Sequence, residues 1–358
     1  MYERVNVNCA RENSTGDWES GIHNFIFHVN QKQRERLTFF RPLITLDREE
    51  KTGFRIGNEW EMGGGFSLFG ECHAHVIMDG KNYKAAVALH KERPNEAVIR
   101  EHLSAWQQAD ITFVRDGGDA YGVSERAREL AGEYGIDYRT PIFAIHKRGH
   151  YGGIVGLPYD DRQGYRELVQ EARKRGADFI KIMISGIMEF DTFGKLTEEG
   201  LDGDEIAYLI ETAHDAGLRV MAHGNGGAVA RAAIGAGVDT LEHGNYMEEE
   251  TICQLAESDT IWIPTFAPTG NLIGCGRFPD EQVKAILVRQ QKAVRFGFEQ
   301  GARIGLGSDS GAYLVPHGQG LMDEYAFMKE AVGRENAEAL DRRLAESEAW
   351  IRENMKRG

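Results

Sequence analysis

The chain is poor in features that would place it outside the cell or in a membrane. It has four cysteines in 358 residues, at positions 9, 72, 253 and 275, and none of them forms a C-x-x-C pair. A thiolate zinc site and a disulfide framework are therefore disfavoured. The opening residues, MYERVNVNCARENS, contain no apolar segment, and no run approaches the roughly 20 apolar residues of a membrane span. We expect a cytoplasmic protein without a membrane partner.

Basic residues are also in deficit. The chain has 42 Lys and Arg against 56 Asp and Glu, which gives a formal net charge of −14. This charge repels phosphate backbones and provides no basic stripe, so we expect a small-molecule substrate and no nucleic acid partner. The hydrophobic content of 41% can fill a large core, and the length suits one barrel of about 250 residues with an appendage.

From residue 66 onward one unit recurs along the chain. A polar helical stretch is followed by Gly or another small residue, then by a short β-branched apolar run that ends on a polar residue. Such runs are typical of buried parallel strands. Eight strands are predicted within the segments 66–75, 110–116, 140–146, 173–185, 214–223, 234–243, 260–266 and 298–309.

Eight strands that alternate with helices predict a (β/α)8 TIM-type barrel over residues 66–358, with residues 321–357 helical throughout. An open doubly wound sheet is the alternative. The glycine-rich turns at 224–229 and 305–311 lack the G-x-G-x-x-G spacing of a dinucleotide site, which favours the barrel. Residues 1–65 contain two strand-like runs, 22–29 and 36–46, and are predicted to form a small β-rich appendage.

Polar residues end several of these strands, and strand ends meet at one mouth of a barrel. His73 and His75 are two residues apart on an extended segment, so both imidazoles face one side. Cys72 is then expected to face the opposite side. Four imidazoles and one carboxylate would be costly to gather without a cation, and this predicts a metal site. These five side chains belong to His73, His75, His223, His243 and Asp309.

Lys181 lies in the apolar strand IKIMIS. An ammonium pointing into a barrel is costly unless it is paired or modified. The strand alone leaves two interpretations open. Either the lysine reaches solvent or an acidic partner, or its desolvated amine reacts with CO2 to give an anionic carbamate.

Five segments of the barrel region together carry a further signal: GECHAH (70–75), DITFVRDGGD (110–119), GADFIKIMISG (176–186), RVMAHGNGGAVARAAIGAGVDTLEHG (219–244) and IGLGSDSG (304–311). In this order they resemble the strand signatures of the amidohydrolase superfamily, in the branch that holds imidazolonepropionase-like proteins and Xaa-Pro or Xaa-Arg dipeptidases. The resemblance spans roughly residues 66–330.

The resemblance implies a binuclear site for two divalent ions, with zinc the expected metal. In it, His73, His75 and Asp309 hold one ion, His223 and His243 hold the other, and carbamylated Lys181 bridges them. The implied reaction is hydrolysis of an amide or cyclic amide C–N bond by a metal-bound hydroxide, with Asp309 as general base and then general acid. Relatives often carry a second histidine where this chain has Asn225, which alters the mouth.

Substrate contacts are less well defined by the sequence. Arg115, Lys147 and Arg148 could receive the carboxylate of an N-acyl amino acid or dipeptide. His150 loosely matches a G-G-H-G turn of the family, and His317 follows the eighth strand, so both are candidates for the mouth. The alternatives are a lactone or ester hydrolase on the same site and a catalytically silent barrel that acts as a binding subunit. Residues 1–65 pack either on the barrel or against a second subunit of a homo-oligomer.

Overall fold

The computed structural model describes residues 69–357. The predicted β-rich appendage of residues 1–65 therefore lies outside the described residues. Within them, all ten strands pair in parallel, as the repeated strand–helix pattern predicts. The strands are β1 Glu71–Ala74, β2 Phe113–Asp116, β3 Asp137–Arg139, β4 Ala144–Lys147, β5 Gly156–Tyr159, β6 Ile180–Met183, β7 Val220–Gly224, β8 Thr240–His243, β9 Ile261–Ile263 and β10 Arg303–Ile304.

The strands form two sheets that join into one barrel. One sheet has the order β1-β2-β3, and the other has the order β10-β9-β8-β7-β6-β4-β5. The chain that leaves β10 runs alongside β1 and closes the barrel, which confirms the predicted fold and rules out the open sheet. Three backbone hydrogen bonds make this seam: Cys72 N–H to Leu306 C=O at 3.0 Å, Asp309 N–H to His73 C=O at 2.7 Å, and His75 N–H to Ser310 C=O at 2.8 Å.

The third barrel strand differs from its predicted form. The predicted segment 140–146 is strand only from Ala144 onward, because a break at Pro141, which has no N–H to donate, and Ile142, with a φ of 74°, separates it from the short strand β3. β3 before this break pairs with β2, whereas β4 after it pairs with β6. β5, which the sequence analysis did not anticipate, pairs with the other edge of β4.

Helices follow most strands and cover the outside of the barrel. Asn95, Asp161 and Asp202 cap three of them by accepting a backbone N–H through the side chain. The predicted helical stretch at the end breaks at Gly333, where φ is 88°. The helices are α1 Tyr83–Ala88, α2 Glu96–Gln108, α3 Val123–Ala131, α4 Arg162–Lys174, α5 Gly203–Asp215, α6 Gly227–Gly235, α7 Glu249–Ala256, α8 Ala267–Gly270, α9 Asp280–Gln300, α10 Gln319–Val332 and α11 Ala337–Asn354, with 3₁₀ turns at Gly132–Tyr134 and Arg334–Asn336.

The lower part of the barrel interior is apolar and is closed by the last helix. Ile351 of α11 and Met355 just after it pack against inward-facing side chains of β1, β2, β7 and β9 and of Phe179, the residue before β6. This packing leaves the opposite end, where the strands finish, as the mouth. No helix in residues 69–357 is long and apolar enough to cross a membrane. The inward side chains are those of Cys72, Phe113, Phe179, Met221, Ile261 and Ile263.

Cys72 corrects one expectation. It faces the barrel interior, as His73 does, although the two are adjacent on β1. The register explains this arrangement: β1 advances three residues, from Glu71 to Ala74, while β2 advances two, from Val114 to Asp116. The irregularity breaks the alternation of side chains. Burial raises the pKa of the Cys72 thiol, which argues against a nucleophilic role for it.

Candidate metal centre at the barrel mouth

Side chains from β1 and from the end of the β10 segment form a cluster at the mouth. His75 Nε2 lies 3.2 Å from Asp309 Oδ1, and His73 Nε2 lies 3.6 Å from the same oxygen. One possible ligand atom from each residue falls within 4.8 Å of the other two. We call His73, His75 and Asp309 the His–Asp cluster. Among the described residues it is the one group of three or more His, Cys, Asp or Glu side chains placed closely enough to hold a metal ion.

His223 and His243 adjoin this cluster, and we call them the histidine pair. They end the neighbouring strands β7 and β8, and their ring centroids are 4.6 Å apart. The ring of His243 is also 5.0 Å from that of His73. The structure therefore brings all five strand-end residues predicted from the sequence to one place.

In three of these imidazoles, one ring nitrogen is in hydrogen-bond contact with a protein oxygen. This leaves the second nitrogen of each ring for another ligand, as in metal-bound histidines. The partnerless nitrogens His73 Nε2 and His75 Nδ1 are buried as well. The three engaged contacts are His73 Nδ1 with Glu242 Oε2 at 2.6 Å, His243 Nδ1 with Thr265 Oγ1 at 2.7 Å, and His223 Nε2 with the Gly186 carbonyl at 3.2 Å.

Burial also keeps these rings uncharged. It lowers the pKa of His73 to about 4 and that of His243 to about 3, and it moves the pKa of His223 well below its ordinary value. At neutral pH each of these rings has a free lone pair, which is the form that ligates a metal. Neutral imidazoles beside one carboxylate are the donor set of a divalent ion such as zinc, so the residues present fit the metal that the sequence implies.

Lys181 lies on β6 and points into the same space. Its side chain is 1% exposed, and Nζ has no hydrogen-bond partner among the described residues. Burial lowers the pKa of the amine to about 8, although the charges of Glu242 and Asp309 oppose this shift. This shift favours the neutral amine, which is the form that reacts with CO2.

The structure corrects the expected role of Arg115. This residue is fully buried below the mouth, and its guanidinium is held by the protein, so we do not assign it to a substrate carboxylate. Nη2 donates to Glu242 Oε1 at 2.9 Å, and Nε donates to the Cys72 carbonyl at 2.6 Å. Glu242 in turn contacts His73. The sequence analysis missed Glu242, although it directly precedes a predicted ligand in TLEH.

Glu71 is a second carboxylate that the sequence analysis did not consider. It accepts the backbone N–H groups of His73 at 3.1 Å and Ser308 at 2.8 Å, and the Ser308 hydroxyl as well. Burial raises its pKa to about 7. Glu71 therefore ties β1 to the β10 segment where both carry members of the His–Asp cluster.

Backbone strain is concentrated at the mouth. His243, Thr265 and Asp309 all have positive φ values, of 66°, 53° and 59°, at or just after the ends of three consecutive barrel strands. Non-glycine residues rarely adopt this conformation, and it persists where the surrounding structure enforces it, often at functional sites. The indole N–H of Trp262 donates to the His243 carbonyl at 2.8 Å and helps to hold that turn.

Asn225 is buried beside the ring of His223. Its Nδ2 donates at 3.0 Å to the Gly186 carbonyl that also contacts His223. Its Oδ1 accepts from Asn245 at 2.9 Å. We therefore interpret it as a support of the His223 ring.

The expected substrate contacts fall in three different environments. Lys147 pairs with Glu205 at 2.5 Å, and Arg148 pairs with Asp160, so neither cation is free for a substrate. The buried ring of His317 packs against Trp106 and His102 of helix α2, which argues against a substrate contact. His150 is partly exposed in the loop after β4, with Nδ1 3.5 Å from a Glu198 oxygen.

The fold and the site together define a class of protein, a (β/α)8 barrel whose histidines and carboxylate gather where the strands end. This is the face at which such barrels carry their active sites. Within that class the chain belongs to the amidohydrolase family, whose sequence model matches residues 71–341. Curated relatives include ochratoxinase of Aspergillus niger, 27% identical over 199 residues, which are 54% of this chain and 39% of that one. An uncharacterised protein of Mycobacterium tuberculosis is 28% identical over 198 residues, 54% of this chain and 52% of that one. The chain thus spans about half or less of these relatives.

Solved structures share the fold over most of both chains. A prolidase in complex with N-methylphosphonate-L-proline is 25% identical, with a TM-score of 0.61 over 80% of this chain and 74% of that one. A Xaa-Pro dipeptidase with bound methionine is 21% identical, with a TM-score of 0.62 over 81% and 77%. The ochratoxinase structure is 22% identical, with a TM-score of 0.62 over 76% and 68%. The family prediction is confirmed.

Proposed function

We propose that this chain is a binuclear metal-dependent hydrolase that cleaves an amide C–N bond of a dipeptide-like or N-acyl amino acid substrate. The observation that carries the proposal is the placement of the His–Asp cluster beside the histidine pair, with the partnerless amine of Lys181 in the same buried space. Family membership supports hydrolysis, and the names of the prolidase, dipeptidase and ochratoxinase neighbours support an amide bond as its target.

Zinc is the metal we propose, because nitrogen and carboxylate ligands suit it. The His–Asp cluster would hold one ion and the histidine pair the other, with a carbamate on Lys181 between them. Bound ions would lower the pKa of water and polarise the substrate carbonyl. The chain itself fixes the imidazoles from outside the site, through Glu242, Thr265 and the Gly186 carbonyl.

Asp309 is the residue we propose as the proton carrier. Its side chain is 16% exposed, whereas that of Glu242 is fully buried, so Asp309 is the carboxylate that reaches the mouth. Oδ1 faces the two histidines of the cluster, which leaves the carboxylate between the ligands and the substrate space. There it would take a proton from the attacking water and deliver it to the leaving nitrogen.

Arg277 is the cation we propose for the substrate carboxylate. It lies in the loop between α8 and α9, and its guanidinium stacks on Tyr313 at 4.8 Å and on Phe278 at 5.2 Å. Tyr313 follows the turn in which Ala312 N–H donates to the Asp309 carbonyl. No acidic side chain in residues 69–357 pairs with Arg277, in contrast to Lys147 and Arg148. An arginine held by aromatic rings keeps its planar donors free for a carboxylate.

The general proposal is tested by elemental analysis together with hydrolysis of N-acyl amino acids, dipeptides and lactones. We expect close to two divalent ions per chain after growth in ample metal, and turnover of the amides. One ion per chain, unresponsive to added metal and bicarbonate, would contradict the binuclear site. Turnover confined to lactones would contradict the amide assignment.

The role of Arg277 is tested by Arg277→Met, which keeps the apolar length of the side chain. We expect KM for an N-acyl amino acid to rise roughly tenfold, the loss of one charge-assisted contact, with kcat little changed. The same acyl compound with its carboxylate converted to a primary amide should show no such rise. Arg148→Met is the matched control, because Arg148 is exposed but already paired. Equal effects of the two variants would contradict the assignment.

A further inference from the structure

Glu242 occupies the centre of a fully buried polar chain beneath the mouth. Its Oε2 is 2.6 Å from His73 Nδ1, and its Oε1 accepts from Arg115 Nη2 at 2.9 Å and from Thr240 Oγ1 at 2.5 Å. The side chains of His73, Arg115 and Glu242 are all 0% exposed. Water therefore cannot replace any of these contacts, and each partner must be satisfied within the protein.

We propose that Glu242 is a positioning residue that holds the neutral ring of His73 in its Nδ1–H form, with Arg115 balancing the charge of the carboxylate. A carboxylate only accepts hydrogen bonds, so the proton of His73 must reside on Nδ1. The lone pair is then on Nε2, which is the nitrogen directed at Asp309 in the His–Asp cluster. The inference rests on the proposed function, because it assigns this lone pair to the metal.

Arg115 makes the arrangement stable without taking part in the cluster. A buried carboxylate with only a neutral imidazole as partner would be costly to desolvate. The guanidinium supplies the compensating charge, and it is anchored separately by the Cys72 carbonyl at 2.6 Å and by Thr240 Oγ1 at 2.8 Å. Because Arg115 pairs mainly with Oε1, Oε2 is left for the ring. Glu242 therefore links Arg115, which lies below the mouth, to His73 at the mouth.

An ion pair that served stability alone would not need this second contact. His73 Nδ1 lies at a shorter distance from the carboxylate than either Arg115 contact, at 2.6 Å against 2.9 and 3.2 Å. The ring also has no other hydrogen-bond partner that could define its proton, since Nε2 is without one in the described residues. The stabilising role of Glu242, through Arg115, and its positioning role, through His73, can therefore be separated by experiment.

The first measurement uses the metal-free parent protein labelled with ¹⁵N-histidine. Long-range ¹H–¹⁵N spectra at neutral pH should show His73 with its proton on Nδ1, the signal being assigned by its loss in His73→Asn. A proton on Nε2 would overturn the proposal. This measurement needs no metal and no variant of Glu242, so it is independent of whether the binuclear proposal holds and of whether such a variant folds.

The second measurement compares Glu242→Gln with Thr240→Val. The glutamine keeps the shape but replaces one carboxylate oxygen with an NH2 donor, so the affinity for Co²⁺, measured by chelator competition, should fall about 10- to 100-fold, with a changed visible spectrum. Thr240→Val removes the hydroxyl contacts with Glu242 and Arg115 while the Glu242–His73 bond remains, so it should lower thermal stability and leave Co²⁺ affinity within about threefold. A Glu242→Gln protein that binds Co²⁺ as the parent does, or a Thr240→Val protein that loses affinity equally, would reduce Glu242 to a structural role. A parent that binds no Co²⁺ would instead contradict the proposed function.

Discussion

The His–Asp cluster and the histidine pair are built differently, although they are adjacent. The cluster contains its own anion, Asp309, and backbone hydrogen bonds between β1 and the β10 segment hold it together. The pair has two neutral imidazoles and no anion of its own. A divalent ion at the pair therefore needs a negative ligand from elsewhere, and Lys181 is the buried group without a partner that could supply one after reaction with CO2. We therefore propose that metal binding at the pair depends on a modified Lys181 and that binding at the cluster does not.

Replacing Lys181 should have the largest effect. Lys181→Ala should lose the ion at the histidine pair, and with it several kcal/mol of transition-state stabilisation, which is about a 10³-fold loss of turnover or more. The lost group is a small carboxylate, so acetate or bicarbonate with excess metal should restore part of the activity. Elemental analysis and turnover with and without these anions are the measurements.

Lys181→Arg is the companion variant. It retains a positive charge but cannot form a carbamate, and the guanidinium fills the space, so it should be inactive and beyond rescue by small carboxylates. A merely structural lysine gives the opposite pattern: arginine is tolerated, alanine is destabilised, and neither variant responds to acetate. If Lys181→Ala retained two ions, metal binding at the histidine pair would not depend on Lys181, which would contradict the proposed difference between the histidine pair and the His–Asp cluster.

Asp309→Asn should have the next largest effect, because it changes the cluster and the proton carrier together. Turnover should fall about 100-fold or more, since the amide cannot accept the proton of water. The side chain keeps its shape and one ligand oxygen, so at least one metal should remain. Turnover within a few-fold of the parent, in protein that holds its full metal content, would exclude Asp309 as the base.

The parts of this site that the sequence predicted are those fixed by strand order. His73, His75, His223, His243 and Asp309 all lie near or beyond the ends of strands, and parallel strands of a barrel end at one mouth whatever the details of register. Lys181 was not fixed in this way, because its apolar strand left two interpretations open and the bridging role came from the family resemblance. None of these placements required knowledge of loops.

Glu242 and Arg115 show where such reasoning stops. In a regular strand Glu242 and His243 would face opposite sides, and a positive φ of 66° at His243 brings both inward. No pattern in the segment TLEHG predicts the positive φ of His243. Arg115 was assigned to the mouth because it stands near a strand end, but the register places its guanidinium one layer lower, against Cys72 and Glu242. Lys147 was misjudged because its partner, Glu205, comes from a distant helix.

Gly117→Ala should have the smallest of the three effects and should disturb the cluster alone. A Cβ at Gly117 would lie 2.4 Å from Cε1 and 2.8 Å from Nδ1 of His75, so the imidazole must shift from its present position beside Asp309. The backbone there needs no positive φ, and the change should act through this contact. We expect the metal affinity to fall about tenfold, with turnover recovering in excess metal, because the ligand is displaced rather than removed.

Gly132→Ala is the matched control: an added Cβ there meets nothing within 4 Å, so affinity and turnover should equal those of the parent. In metal titrations the weakened ion should be the one that does not depend on bicarbonate, since Lys181 and the histidine pair are untouched. Weakening of the bicarbonate-dependent ion instead would show that the two sets of ligands act as one unit.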